Sequence, residues 1–318
     1  MNSSKGPVFV TGPSCTGKTL MSLLITSHPS LAIPRHETRF WKSFYCRYGD
    51  LSKRPNVERC LEAMVLEVEG RGFRHRADWI RERFAQGEPN YGRLFAAFME
   101  DYAEQSSKPR WGCHAQQLEE HEDAIFGYFP QARVIQMIRD PRDRYAAKFL
   151  RKPRPRKSPG QLGLETSIWL RSLSRAESNQ GRFPGRWTVV CYEALVLRPE
   201  ETLTSVLSFL DETPIPVSLA LEGLPRERDE LGRHPYGALS SAGVGCYRGL
   251  LSAREIAFIQ LLAGARMSHY GYGQEPVSLS VLDRLALFGA DHSFGLLRRL
   301  VSGARRALSP GRRARNCT

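Results

Sequence analysis

The sequence predicts an α/β fold with three layers, a central parallel sheet and a P-loop-like phosphate-binding loop. Three observations predict it. The apolar run Pro7-Val8-Phe9-Val10-Thr11 leads into a Gly-rich turn and then into residues 18–27, which have helical character. Strand, loop and helix in that order open phosphate-binding α/β domains. Two further apolar runs of strand length, 133–138 and 187–191, are each followed by helical sequence, and such alternation calls for a parallel sheet.

The remaining elements follow in order. Residues 56–106 have helical patterning, interrupted near Gly87-Glu88-Pro89-Asn90, and a further helix is expected over 118–129. After Asp140-Pro141 a helix begins and stops before Lys152-Pro153. In Arg151 to Lys157 prolines alternate with basic residues, which suits a mobile loop and neither helix nor sheet. A helix is expected from Pro199 to Leu210, then an irregular flap over 211–250, and closing helices over 253–263 and 279–307. The expected organisation is one α/β domain over 1–278, with a helical insert at 38–108, followed by a basic C-terminal helix and tail at 279–318.

With 318 residues, 41% hydrophobic and 25% charged, the chain has the composition of an ordinary globular protein. No run of eighteen apolar residues is present, and residues 1–6 lack the layout of a signal peptide, so a cytoplasmic protein is expected. Seven scattered cysteines without C-x-x-C spacing suggest reduced thiols, and the histidines form no metal-ligand pair, so no metal is expected. The net charge of +13 suits a polyanionic ligand, an anionic membrane surface or nucleic acid. Nucleic acid is set aside because no zinc-finger spacing or RNA-recognition signature is present.

The strongest motif is Gly12-Pro13-Ser14-Cys15-Thr16-Gly17-Lys18-Thr19, a full match to G-x-x-x-x-G-K-[ST] between a strand and a helix. Its glycines let successive backbone N–H groups converge on phosphate oxygens, and the helix N-terminus adds partial positive charge. Lys18 adds a mobile charge, and Thr19 a hydroxyl for a phosphate oxygen or a magnesium ion. A second anion site is expected at Arg139. Asp140 caps the following helix, Pro141 suits its first position and Asp143 its third, which leaves Arg139 at the carboxyl end of a strand.

Here a family resemblance enters. Phe129-Pro130-Gln131-Ala132-Arg133-Val134-Ile135-Gln136-Met137-Ile138-Arg139-Asp140-Pro141-Arg142-Asp143 resembles the signature of sulfotransferases that use 3′-phosphoadenosine 5′-phosphosulfate (PAPS). Gly12 to Leu20 resembles that family's 5′-phosphosulfate loop. Ser27-His28-Pro29 with Glu37-Thr38-Arg39 is similar to the tyrosylprotein and bacterial branch. Tyr192-Glu193-Ala194-Leu195-Val196 with Pro199-Glu200, and Gly245-Cys246-Tyr247-Arg248 with Tyr270-Gly271-Tyr272, resemble its later segments.

The resemblance implies sulfuryl transfer from PAPS to a hydroxyl acceptor by in-line displacement, without a metal. It implies a donor site built from Gly12, Ser14, Cys15, Thr16, Gly17, Lys18 and Thr19, with Arg139 on the 3′-phosphate. Glu37 takes the place of the family's proton-accepting glutamate. Lys18 and Thr19 would stabilise the departing phosphate oxygen, and Arg39 would orient Glu37 or hold an acidic acceptor.

Three positions depart from the family pattern. Cys15 replaces the mid-loop Arg or Lys. His114, in Trp111-Gly112-Cys113-His114, replaces a lysine, and as imidazolium it would donate a proton to the leaving oxygen, a charge that fades above pH about 6.5 unless its pKa is raised. Ala147 stands where a helix hydroxyl usually joins the arginine on the 3′-phosphate, with Arg248 or Arg144 as replacement donors. These departures keep a catalytically weak or inactive PAPS-binding relative open. An ATP-dependent small-molecule kinase is the other alternative, although the second strand ends in Arg139-Asp140 rather than in an apolar run closed by Asp. The C-terminal segment carries Arg298, Arg299, Arg305 and Arg306 beside Leu296, Leu297 and Leu300, which suits peripheral contact with an anionic membrane surface or, more plainly, a basic tail.

Overall fold

The computed structural model describes residues 5–69, 75–151, 160–222, 239–281 and 283. Its centre follows from β1 (Val8–Thr11), whose four residues are all buried. A strand with both faces covered must be flanked by strands and sandwiched by helices. Val8 and Val10 point into one core, while Phe9 points into another, against Trp41 and Trp111 at ring separations of 6.4 and 5.8 Å. Burying such a side chain contributes about 1.5–3 kcal/mol.

The chain continues through α1 (Lys18–Thr26), β2 (Leu31–Ala32) and a π-helical turn at Phe40–Phe44. Next come α2 (Arg54–Glu69), α3 (Ala77–Ala85) and α4 (Tyr91–Gln105), so residues 38–108 are largely helical. The interruption expected near residues 87–90 separates α3 from α4, and the Asn90 side chain caps α4 by accepting from the Arg93 N–H at 2.8 Å. Then follow β3 (Arg110–His114), a 3₁₀ turn at Leu118–Glu120, α5 (Glu122–Tyr128), β4 (Arg133–Ile138), α6 (Pro141–Arg151), α7 (Gln161–Arg182) and β5 (Trp187–Cys191). The described chain closes with α8 (Tyr192–Leu197), α9 (Pro199–Phe209), α10 (Val217–Glu222), 3₁₀ turns at Ser241–Gly243 and Cys246–Gly249, and α11 (Ala253–His269).

The five strands are all parallel, in the order β2-β3-β1-β4-β5. The chain fills one side of β1 before crossing to the other. The carboxyl ends of β3, β1 and β4 therefore share one edge at a topological switch point, the place where open α/β sheets bind ligands.

Several expectations need correction. β2, β3 and α7 add to the elements predicted from sequence, the helix expected over 118–129 is a 3₁₀ turn followed by α5, and α11 runs to His269 rather than residue 263. Among the described residues, Cys15, Cys60, Cys113, Cys191 and Cys246 are free thiols. The basic residues 152–157 and the C-terminal segment beyond 283 lie outside the described residues. Among the described residues no helix is long and apolar enough to cross a membrane.

Candidate functional site

The loop after β1 is shaped by backbone that side chains rarely tolerate. Gly12 has φ +127, and a Cβ there would meet the Met137 carbonyl at 2.3 Å; Gly17 has φ +87, and a Cβ would sit 2.7 Å from the Tyr192 ring. Cys15 also adopts a left-handed conformation, with φ 64. The turn is braced from inside, since Thr16 Oγ1 and Lys18 Nζ both donate to the Pro13 carbonyl, at 2.8 and 2.9 Å. Gly17 caps α1 without a side chain, so no carboxylate or hydroxyl of the cap competes for the first-turn amides, which an anion can take. Lys18 is buried, and burial pushes its pKa down; the charge that opposes that shift most is Glu37.

Arg139 reaches this loop from the end of β4. Its Nη1 donates to the Cys15 carbonyl at 3.1 Å and its Nη2 to the Gly243 carbonyl at 2.5 Å. The guanidinium lies 4.3 Å from the Tyr192 ring centre, and the residue is only 6% exposed. Nε is buried and has no hydrogen-bond partner. The backbone beneath is fixed by Trp169 Nε1, which donates to the Arg139 carbonyl at 2.8 Å. Asp140 caps α6 as expected, its Oδ1 accepting the Arg142 N–H at 2.8 Å. Asp143 does something the sequence reading missed: its carboxylate accepts the N–H groups of Gly245 and Tyr247 at 2.7 and 2.9 Å, tying the C-terminal turns to α6.

On the other side of β1, β3 delivers His114 to the same edge, in register with Val10. His114 is 2% exposed, and its Nε2 lies 3.1 Å from the Arg35 carbonyl. A carbonyl only accepts, so Nε2 carries the proton and Nδ1 is the bare acceptor; that Nδ1 is buried and unpartnered. Burial, with the Lys18 charge beside it, lowers the imidazole pKa to about 4. The imidazolium expected from sequence is therefore corrected to a neutral imidazole. Glu37 sits next to it on the chain that bonds β3, because the Thr38 N–H donates to the His114 carbonyl at 3.1 Å. Both Glu37 oxygens accept from Gln116, one from the backbone N–H and one from the side-chain amide at 3.2 Å.

Other expected site residues lie elsewhere. Arg39 pairs with Glu67 at 3.1 Å rather than with Glu37. Arg248 is 63% exposed and pairs with Glu275, not with the Arg139 pocket. Ala147 brings no donor. Arg144 stands against the opposite side of the loop, its Nε donating to the Ser14 carbonyl at 3.1 Å while Nη2 pairs with Glu165 at 2.7 Å, both side chains buried. Thr19 is partly buried at the start of α1. Tyr192 and Gln116 were not singled out from sequence as site residues. A signal for Tyr192 was present: it directly follows a strand, so it had to emerge at the ligand-binding edge.

A family profile described as the sulfotransferase family matches residues 7–215. The sulfotransferase domain of the Synechococcus PCC 7002 olefin synthase superposes with a TM-score of 0.54 at 18% identity, covering 86% of this chain and 98% of that one. A sulfotransferase from Alicyclobacillus acidocaldarius gives a TM-score of 0.47 at 13% identity, covering 85% and 98%. One from Mycobacterium avium gives 0.46 at 14% identity, covering 86% and 79%. No curated protein sequence matches the chain.

Proposed function

The chain belongs to the sulfotransferase family, and from that premise we propose that it transfers a sulfuryl group from PAPS to a hydroxyl acceptor. The observation that carries this reading is the contact of Arg139 with the phosphate loop, Nη1 to the Cys15 carbonyl at 3.1 Å. A guanidinium that close to the glycine cradle lets one nucleotide place its 5′-phosphosulfate in the loop and its 3′-phosphate on Arg139. The site fits such a donor. The first-turn amides of α1 and the buried, unpartnered Arg139 Nε are donors awaiting acceptors, and the buried Lys18 ammonium gains from any anion brought beside it.

PAPS supplies the sulfuryl group on an activated phosphosulfate bond. Lys18 and the loop amides stabilise negative charge on the phosphate oxygen as the S–O bond breaks. Glu37, held by Gln116, accepts the hydroxyl proton as the acceptor oxygen bonds to sulfur. His114 is neutral at pH 7 and acts through its bare Nδ1 as a hydrogen-bond acceptor, not as an acid.

Calorimetric titration tests the donor assignment. Adenosine 3′,5′-bisphosphate is expected to bind without magnesium and more tightly than ATP. A preference for magnesium-ATP would overturn the reading in favour of a kinase.

A further inference from the structure

A small cavity opens beside the phosphate loop, away from Arg139. Its volume is about 140 Å³, and its walls come from Pro13 and Ser14 of the loop, Gln116 and Gln117 after β3, and α6 and α7. Arg144 forms the wall shared with the loop through its bond to the Ser14 carbonyl, and Gln116 forms the wall shared with Glu37. A molecule in this cavity would touch Pro13 and Ser14 of the loop and Gln116, the residue that holds Glu37.

The lining selects what can enter. No aromatic ring lines the cavity, and apart from Pro13 its single apolar side chain is Ile168. The rest are amides, hydroxyls, carboxylates and cations, among them Glu119, Arg171 and Ser172. The polar wall is held in place by the network behind it: Ser172 Oγ donates to Glu119 Oε1 at 2.7 Å, Thr11 Oγ1 donates to Glu119 Oε2 at 2.5 Å, and Arg171 faces Glu120 at 3.7 Å. A phenol or a lipid would strip water from these groups and return few hydrogen bonds, leaving buried polar groups unsatisfied. A ligand with hydroxyls around a ring returns them. The cavity opens to solvent, so part of a polyhydroxylated ring can seat in it while the rest of the molecule stays outside.

We propose that this cavity is the acceptor subsite and that the acceptor is a saccharide, a single pyranose ring seated against α7 with the rest of the molecule outside. The proposal rests on the donor reading above for its chemistry, but the cavity's choice of ligand is a separate property. In the transfer, one sugar hydroxyl oxygen bonds to sulfur, the phosphate–sulfate S–O bond breaks, and the hydroxyl proton passes to Glu37.

The test uses the full chain with and without adenosine 3′,5′-bisphosphate. Saturation-transfer NMR is recorded with N-acetylglucosamine, galactose and 4-nitrophenol, on wild type, Ile168→Trp and Arg171→Ala. Ile168 and Arg171 are partly exposed on α7, so both variants are expected to fold. The expected result is saturation of at least one sugar and not of the phenol. The sugar signal should fall at least fivefold in Ile168→Trp and should weaken in Arg171→Ala, while bisphosphate affinity changes less than twofold. Phenol saturation without sugar saturation, no saturation of any probe, or sugar saturation unchanged in both variants overturns the subsite. Failure of the bisphosphate to bind would overturn the donor reading alone, because variant-sensitive sugar contact would still support the cavity.

Discussion

The guanidinium of Arg139 stacks on the ring of Tyr192, its central carbon 4.3 Å from the ring centre. The two residues close neighbouring strands, β4 and β5, which pair in parallel from Val134 with Trp187 to Ile138 with Cys191. Adjacent strand ends thus set the cation over the ring. The stack holds the guanidinium plane while Nη1 donates to the Cys15 carbonyl of the loop after β1, an arrangement that would lower the ordering cost of binding the proposed 3′-phosphate.

Tyr192→Leu removes the ring and is expected to weaken adenosine 3′,5′-bisphosphate binding by about 2–30-fold, the equivalent of the ~0.5–2 kcal/mol range of such stacks. Tyr192→Phe keeps the ring and should bind within about twofold of wild type. Calorimetry on the two variants separates stacking from any role of the hydroxyl.

Ala147→Ser restores a hydroxyl on α6, two turns beyond Arg139. If the 3′-phosphate lies on Arg139, the new charge-assisted hydrogen bond is worth about 1.5–3 kcal/mol. Bisphosphate affinity should rise about tenfold or more, with ATP affinity unchanged, as read by competitive titration.

Glu37→Gln keeps a side chain that Gln116 can still hold through one oxygen, but it removes the proton acceptor. Turnover with PAPS and a hydroxyl acceptor is expected to fall by about 10²–10⁴-fold. Bisphosphate affinity should stay near wild type, because the proposed reaction uses Glu37 on the acceptor and not on the donor. Equal turnover in both proteins would remove Glu37 from the chemistry.

Stability should depend on pH through His114. In the fold its pKa is lowered to about 4 by burial and by Lys18, whereas an unfolded chain leaves it near 6.5. Between these values the unfolded chain binds the extra proton, so stability rises with pH across this window and is fully present above it. Moving from pH 7 to pH 5 is expected to remove about 2 kcal/mol through this residue. His28, also lowered by burial, adds a slope of the same sign. Urea unfolding at both pH values should show a smaller difference for His114→Gln than for wild type. An equal difference would mean that His114 is not held neutral by the fold.

The sequence by itself determined the glycine-rich turn after β1 and the β4–α6 junction, because their physics is local. Gly12 and Gly17 take left-handed backbone angles within one eight-residue turn, and Asp140 caps a helix two residues ahead of it. Such features are complete within a short window, and a pattern can report them.

The tertiary structure alone decided the rest, because the compensating partners are distant in the chain. β3 begins with Arg110, a residue that argues against a buried strand until Glu212 is found 2.8 Å away. In α7 the apolar stripe is broken by buried Glu165, Thr166, Ser172 and Asn179; Glu165 is neutralised by Arg144, and Ser172 bonds Gln136 and Glu119. His114 on paper is an ordinary imidazole that charges below about pH 6.5. Only its enclosure beside Lys18 keeps it neutral further down the pH scale, since desolvation and a like charge act through space and leave no mark in the order of residues.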